Sequence, residues 1–236
     1  MDLRLLYQAE FESLVFSSGP KSILDVGCGE GAFLRRAAER NIIAVGIDPD
    51  VNLVKAAAAE GLTVRQARAD VLPFDNNSFD CMVCERSAHH FPDLAAGLRE
   101  GLRVARLGLF IFDPWFDESI ASQVLAAEFD RWVKRLDTLQ GHVNRGPLTT
   151  LDFISALRDI NNIDVEITHR LIVRSASLDQ ILSHANAQIE GLVDVEPYRR
   201  ELDELVARSQ QNDLSEAGAI FVCARHVSTP GMSNRT

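Results

Sequence analysis

Between Ser22 and Asp50 the chain reads SILDVGCGEGAFLRRAAERNIIAVGIDPD, and no other stretch restricts its fold as tightly. Ile23, Leu24 and Val26 make a short apolar run of the kind a parallel strand buried on both faces requires. Gly27-Cys28-Gly29-Glu30-Gly31 then forms a turn with almost no side chains on one surface, where the backbone takes positive φ and a ligand can lie directly on it. Ala32 to Arg40 reads as a helix with Phe33, Leu34, Ala37 and Ala38 on one face. Its free N–H groups point into the turn and suit an anionic group such as a carboxylate or phosphate. Ile42 to Ile47 is a second buried strand, closed by Asp48. A carboxylate 21 positions beyond Gly27 can accept hydrogen bonds from both hydroxyls of a ribose. The stretch is one half of a nucleotide-binding α/β unit.

The pattern Gly27-x-Gly29-x-x-Ala32 also satisfies the relaxed dinucleotide fingerprint, which permits NAD. Two features argue against it. Asp25, two residues before the first glycine, would repel a pyrophosphate but attract an amino group or a sulfonium. The third glycine stands at Gly31, giving G-x-G-x-G. D-V-G-C-G-E-G followed by G-I-D-P resembles the first two motifs of the class I S-adenosylmethionine-dependent methyltransferases. That resemblance implies that the glycine turn (Gly27, Cys28, Gly29, Gly31) holds the methionine portion of S-adenosylmethionine and that Asp48 holds the ribose. Asp25 and Pro49 belong to the same candidate cofactor site.

A chain of 236 residues has room for one α/β domain with an elaboration of about 70 residues. Apolar residues at 46% and charged residues at 25% are enough to expect a real core. The net charge of −10 and the lack of a Lys/Arg cluster disfavour a nucleic-acid substrate. The first residues, MDLRLLYQAEFESL, carry Asp2, Arg4, Glu10 and Glu12 and do not read as a signal peptide. No apolar run approaches membrane-spanning length. A cytoplasmic protein without a membrane partner is expected. Cys81 and Cys84 form C-x-x-C, but on a strand residues three apart point to opposite faces. Without a second pair or a histidine cluster there is no zinc set, so no metal is expected and the four cysteines read as buried apolar residues.

Leu3 to Phe16 shows a rough helical stripe broken by Ser17-Ser18-Gly19-Pro20. Such a helix is usually packing, but in relatives it often closes over the cofactor, which would bring Tyr7 and Phe11 to the ligand. Val51 to Glu60 is an alanine-rich helix, and Leu62 to Gln66 a third strand. The segment Ala69-Asp70-Val71-Leu72-Pro73-Phe74 resembles the family's next motif, in which the acid receives the adenine amino group. Asp70 and Val71 are therefore candidate cofactor contacts. Phe79 to Cys84 is a fourth strand opening on the family's F-D. It runs into Glu85-Arg86-Ser87-Ala88-His89-His90-Phe91, at a carboxyl end where an open α/β sheet binds its ligands. Glu85 joins the candidate cofactor contacts, and His89-His90-Phe91 resembles the H-H-F of many small-molecule members, including ubiquinone- and menaquinone-type enzymes.

Leu94 to Ala105 is a helix and Leu107 to Phe112 a fifth strand. Here Val104-Ala105-Arg106-Leu107-Gly108 replaces the family's L-K-P-G-G turn. Trp115 and Phe116, next to Asp113, suit either a substrate wall or core packing. Helices are expected over Glu118 to Leu139, Leu151 to Ile160, Leu178 to Leu192 and Pro197 to Arg208, with strands at Ile163 to Val173 and Ala217 to His226. The expected whole is a single domain over residues 1–226. It is a Rossmann-like class I methyltransferase fold: a seven-stranded, mostly parallel sheet with helices on both faces. The cofactor core spans about 20–113, helical cap elements span 115–147 and 174–216, and residues 227–236 form a loose tail.

Methyl transfer from a sulfonium to a nucleophile asks for near-attack geometry and exclusion of water, and for a base only when the acceptor carries a proton. Histidine suits that role. His89 is the first candidate, His90 the second and Asp113 the third; either histidine could instead pack neutral against the ribose or bond a backbone carbonyl. The expected activity is methyl transfer from S-adenosylmethionine to a small, moderately apolar metabolite. An NAD-dependent oxidoreductase and a protein that binds S-adenosylmethionine without transferring methyl are the alternatives.

Overall fold

The computed structural model describes residues 2–190 and 192–227; the expected tail from residue 228 onward lies outside them. Its first elements follow the order read from the sequence. Helix α1 (Leu3–Ser17) is capped by the Asp2 carboxylate, which accepts from the Arg4 N–H at 2.8 Å. Then come β1 (Ser22–Val26), α2 (Ala32–Ala38), β2 (Ile43–Asp48), α3 (Val51–Ala59), β3 (Val64–Gln66), β4 (Phe79–Glu85), α4 (Leu94–Val104) and β5 (Ala105–Trp115). The second half holds α5 (Ala121–Leu139), α6 (Thr150–Leu157), β6 (Ile163–Arg170), α7 (Leu178–Glu190), α8 (Glu196–Gln211) and β7 (Gly218–His226).

Seven strands form one sheet in the order β3-β2-β1-β4-β5-β7-β6. The first five are parallel, and β7 runs antiparallel between β5 and β6. The order reverses at β1, so the carboxyl ends of β1 and β4 flank the crevice where such sheets bind ligands. One face carries α4 and α6 over Leu24, Met82, Cys84, Ile111 and Val222. The other carries α1 and α2 over Ile23, Cys81, Val83, Phe112 and Phe221. Cys81 and Cys84 thus lie on opposite faces, as the strand period requires, and all four cysteines are free and buried. Among the described residues no helix is long and apolar enough to cross a membrane.

The fifth strand departs most from expectation. It starts directly after α4 and runs on through Pro114 to Trp115. Proline is tolerated because β4 pairs only as far as Phe112, so beyond it β5 is hydrogen-bonded on its β7 side alone, with Pro114 opposite Ala219. The altered turn became a bulge: the register with β4 shifts between Phe79 and Cys81. Gly108 there has φ 150°, and any Cβ would run into the Ala224 carbonyl.

Two expected contacts turn out to be packing. Phe11 is 1% exposed and sits between Phe112 and Phe221, ring centroids 5.8 and 6.1 Å away. Tyr7 is buried, its hydroxyl accepting from the Ile172 N–H at 2.9 Å. Helices α5, α7 and α8 enclose a separate core of Leu125, Phe129, Trp132, Leu136, Ile189 and Leu202, into which Phe116 also packs.

Helix α1 is therefore an integral layer. Phe11→Ala should lower the unfolding free energy by about 3–5 kcal/mol in urea titration, the cost of emptying an aromatic core site. Leu5→Ala, at a position 62% exposed, should stay within about 0.5 kcal/mol of the parent. Equal effects would mean that α1 is only loosely attached.

Candidate functional site

The glycine turn is shaped by the end of the neighbouring strand. The Ile47 carbonyl accepts from the N–H groups of both Gly27 and Cys28, at 2.8 and 2.9 Å. Asp48 then takes the Gly29 N–H at 2.9 Å through Oδ2 and the Asp50 N–H at 2.9 Å through Oδ1. Gly27 has φ 78°, and a Cβ on it would collide with the Ser87 hydroxyl, which itself donates to the Val26 carbonyl at 2.8 Å. Gly29 has φ 53° and open space where its Cβ would be. Gly31 begins α2 without a side-chain cap. Cys28 lies beneath the turn with its thiol pushed up to about 12, chiefly by burial, so it is packing rather than a nucleophile.

Asp25 lies one residue before the end of β1, 2% exposed, and its Oδ1 has no hydrogen-bond partner. Burial, with Glu85 next, pushes its carboxyl up to about 8. Glu85 ends β4 on the same sheet face and pairs with Arg36 of α2; burial first, opposed by Arg36, pushes its carboxyl up too. Arg36 also reaches Glu12 of α1 at 2.5 Å. This end of the crevice therefore holds more buried acid than base.

A cavity of about 690 Å³ opens beside the turn. Val26, Gly27 and Ser87 line one side and Ile47, Asp48, Pro49 and Leu53 another; Ala67, Arg68 and Ala69 form the far wall. His90, Phe91 and Pro92 close it together with Asp137, Gly141, His142 and Val143 from the end of α5 and the loop beyond. Of the expected site residues, Gly27, Asp48, Pro49 and His90 line it, whereas Asp25, Cys28, Gly29, Gly31, Asp70, Val71, Glu85, His89 and Asp113 do not. The Asp70 carboxylate is held by both Arg68 Nε (2.9 Å) and Nη2 (2.7 Å), which keeps it below the usual range, and Val71 is 70% exposed.

The two histidines sit in a 3₁₀ turn after β4. His89 is buried, its Nδ1 lying 2.7 Å from Asp113 Oδ1 and its N–H donating to Asp113 Oδ2 at 3.2 Å. A carboxylate partner places the proton on Nδ1 and leaves Nε2 basic. His90 packs its ring 4.1 Å from that of His89 and donates from Nδ1 to the Val143 carbonyl at 2.8 Å. Loss of solvent, then His89, pushes the His90 imidazole below its ordinary value. Arg145 pins the loop down: its N–H donates to the His89 carbonyl at 2.9 Å, and its guanidinium donates to the carbonyls of Phe91 (3.1 Å) and Pro92 (2.5 Å). The Trp115 ring lies 4.2 Å from that of His169, tilted by 38°.

The sequence places the turn, Asp25, Asp48 and the histidine pair at the carboxyl ends of β1, β2 and β4, which the structure brings side by side. Ser87 lies in the Glu85–Phe91 segment expected at the crevice, and the loop after α5 lies in the expected cap over 115–147; the sequence does not single out Arg36 and Arg145, which carry no motif and reach their partners only through the fold. The residues present fit a sulfonium nucleoside bearing an amino group. Asp25 offers a buried carboxyl oxygen with nothing bonded to it, and the open face of Gly29 leaves the turn uncovered. A pyrophosphate would meet the acids Asp48, Asp25 and Glu85 near the turn, where Glu85 is already paired with Arg36 and the cavity-lining Arg68 is committed to Asp70.

Residues 24–112 match the family model described as Methyltransferase domain. Over 113 residues the chain is 30% identical to the uncharacterized methyltransferase YcgJ of Bacillus subtilis, covering 42% of this chain and 45% of that one. Over 148 residues it is 30% identical to the ubiquinone biosynthesis O-methyltransferase of Methylococcus capsulatus, covering 60% and 58%. The chain thus spans about half the length of these curated relatives. The crystal structure of YcgJ superposes with a TM-score of 0.62 at 18% identity, covering 94% of this chain and all of that one. An SAM-dependent methyltransferase from Archaeoglobus fulgidus gives 0.59 at 16% identity, covering 94% of each chain. Residues 24–112 thus match a methyltransferase domain, and the sheet built around them has the Rossmann-like fold seen in solved class I methyltransferases.

Proposed function

We propose that the protein transfers a methyl group from S-adenosylmethionine to a small metabolite and releases S-adenosylhomocysteine. The observation that carries this reading is Asp25, a buried carboxyl with an unbonded oxygen two residues before a bare glycine turn. An ammonium is the ligand group that would satisfy it. When bound, S-adenosylmethionine supplies a methyl group on a positively charged sulfur, open to in-line attack. The chain's own residues have three tasks. Asp25 and the turn hold the amino-acid end, with Glu85 adding negative potential. Asp48 has one bond on each oxygen and keeps lone pairs for ribose hydroxyls. The loop over the cavity keeps water out.

For an acceptor that carries a proton, His90 is the better placed base. It stands on the cavity wall with Nδ1–H committed to Val143, so its Nε2 lone pair is free and the ring is neutral at pH 7. His89, locked by Asp113 behind it, is a positioning residue. The acid-rich crevice and the net charge of −10 favour a small molecule over nucleic acid. Four unpaired, buried cysteines suit a reducing cytoplasm.

Asp25→Asn should weaken S-adenosylmethionine binding at least tenfold by calorimetry, about 1.4 kcal/mol. Its effect on the ligand-free protein should have the opposite sign. The wild-type carboxyl has its ordinary pKa of 3.8 when unfolded and about 8 when folded. Folding therefore favours the protonated form, and the associated stability is complete below 3.8 and lost as pH rises through 8. The urea midpoint of Asp25→Asn relative to wild type should climb from pH 5 to pH 8.5; undiminished binding by the variant would sink the reading.

With an acceptor in hand, His90→Ala should lower kcat by about 10²–10⁴-fold and remove the acidic limb of the pH profile, with the cofactor Kd little changed. His89→Gln should act more mildly and leave that limb in place. Cofactor binding without turnover on any acceptor would favour a protein that uses the sulfonium otherwise.

A further inference from the structure

Four buried side-chain polar atoms lack hydrogen-bond partners among the described residues: Asp25 Oδ1, Asp130 Oδ2, Lys134 Nζ and Asn144 Oδ1. Native proteins satisfy nearly all such atoms, so their location carries information. The first lies in the cofactor site. The other three lie on α5 and the loop after it, behind the cavity-lining residues Asp137 and Val143. Lys134 Nζ is 2.9 Å from Asp130 Oδ2 one turn earlier on α5, a contact that fits an ion pair but does not align as a hydrogen bond. The Thr138 hydroxyl lies 3.0 Å from the Lys134 carbonyl and 3.2 Å from that of Asn144, joining helix and loop. The Asn144 amide donates to Asp137 Oδ2 at 2.7 Å, which fixes its carbonyl oxygen as the unbonded atom.

This patch adjoins the proposed base. Asp137 lines the same cavity as His90, Val143 next to Asn144 accepts from His90, and the Lys134 charge is near enough to act on that ring. The Lys134 side chain is only 8% exposed, and its ammonium has one carboxylate neighbour for three N–H donors. An ammonium so placed loses its hydration without full replacement, and apolar residues of similar volume would hold the fold as well or better. The opposite face of α5, with Leu125, Phe129, Trp132 and Leu136, already supplies the contacts that pack α5 on α7 and α8. Fold maintenance does not account for Lys134.

We propose that the inner face of α5 is the acceptor subsite, where Lys134 binds an anionic group, a carboxylate or phenolate, and Asn144 Oδ1 accepts from a hydroxyl or amino group of the same molecule. The proposal rests on the methyltransferase reading and narrows it to small, negatively charged acceptors that also carry a hydrogen-bond donor. The acceptor would lie between Lys134 and His90, exchanging one of the Asp130 contacts for its own.

The test is calorimetry on the full chain saturated with S-adenosylhomocysteine, titrated with matched probes. Suitable pairs are 4-hydroxybenzoate with 4-hydroxybenzamide, 3,4-dihydroxybenzoate with its amide, and 3-hydroxybutyrate with its amide. At least one carboxylate should bind tenfold or more tighter than its amide. The double variant Lys134→Met/Asp130→Asn, which leaves neither charge unpaired, should lose that preference, bind S-adenosylhomocysteine within twofold of wild type, and keep a urea midpoint at or above wild type. The proposal is overturned if no carboxylate outbinds its amide on the wild type, or if the double variant keeps the preference. Should the double variant not fold, the wild-type comparison decides alone. Failure of the wild type to bind S-adenosylhomocysteine at all would overturn the methyltransferase reading instead, before any probe is added.

Discussion

The glycine turn keeps its shape because β2 ends beside it. One carbonyl, that of Ile47, takes two successive N–H groups, and the side chain of the next residue takes a third. The backbone at Gly27 and Gly29 is held in positive φ by a neighbouring strand rather than by its own side chains. Everything else in the crevice is placed relative to that turn. Ser87 fills the space that a Cβ on Gly27 would need, which fixes how closely the segment after β4 approaches β1. The histidines follow Ser87 directly, so their position is inherited from the same contact.

Local signals carried much of this in the sequence. Strand, turn, helix and acid follow one another within thirty residues, and each has its own physical reason to be where it is. The pairing of His89 with Asp113 was also within reach, because both sit at the carboxyl ends of what become adjacent parallel strands. What could not be read depends on partners distant in the chain. Arg145, which holds the carbonyls of His89, Phe91 and Pro92, lies more than fifty residues beyond them. The extension of β5 through Pro114 needs the knowledge that β4 stops early and β7 does not. Asp130 and Lys134 look like a solvent-side ion pair on an amphipathic helix, since a buried polar pair has the same spacing as one facing water.

The two ends of the crevice are built on different principles. At the turn, backbone groups do the shaping and acids set the potential. Across from it, the walls are side chains from a helix and a loop that the sheet does not contain. The glycine-turn end is thus constrained by strand geometry, whereas the opposite end is constrained by how α5 sits against α7 and α8.

The joints of those helices meet in one small region. Gln123, fully buried near the start of α5, donates to the Ser215 hydroxyl and to the Glu216 carbonyl, both at 2.6 Å. Ser215 in turn donates to the Ser122 hydroxyl at 3.0 Å, and Arg174 pairs with Glu216 at 2.6 Å. The places where the chain passes from the sheet into the helices and back therefore share a single seam. Everything beyond such a seam can be reshaped while the half that carries the glycine turn stays intact.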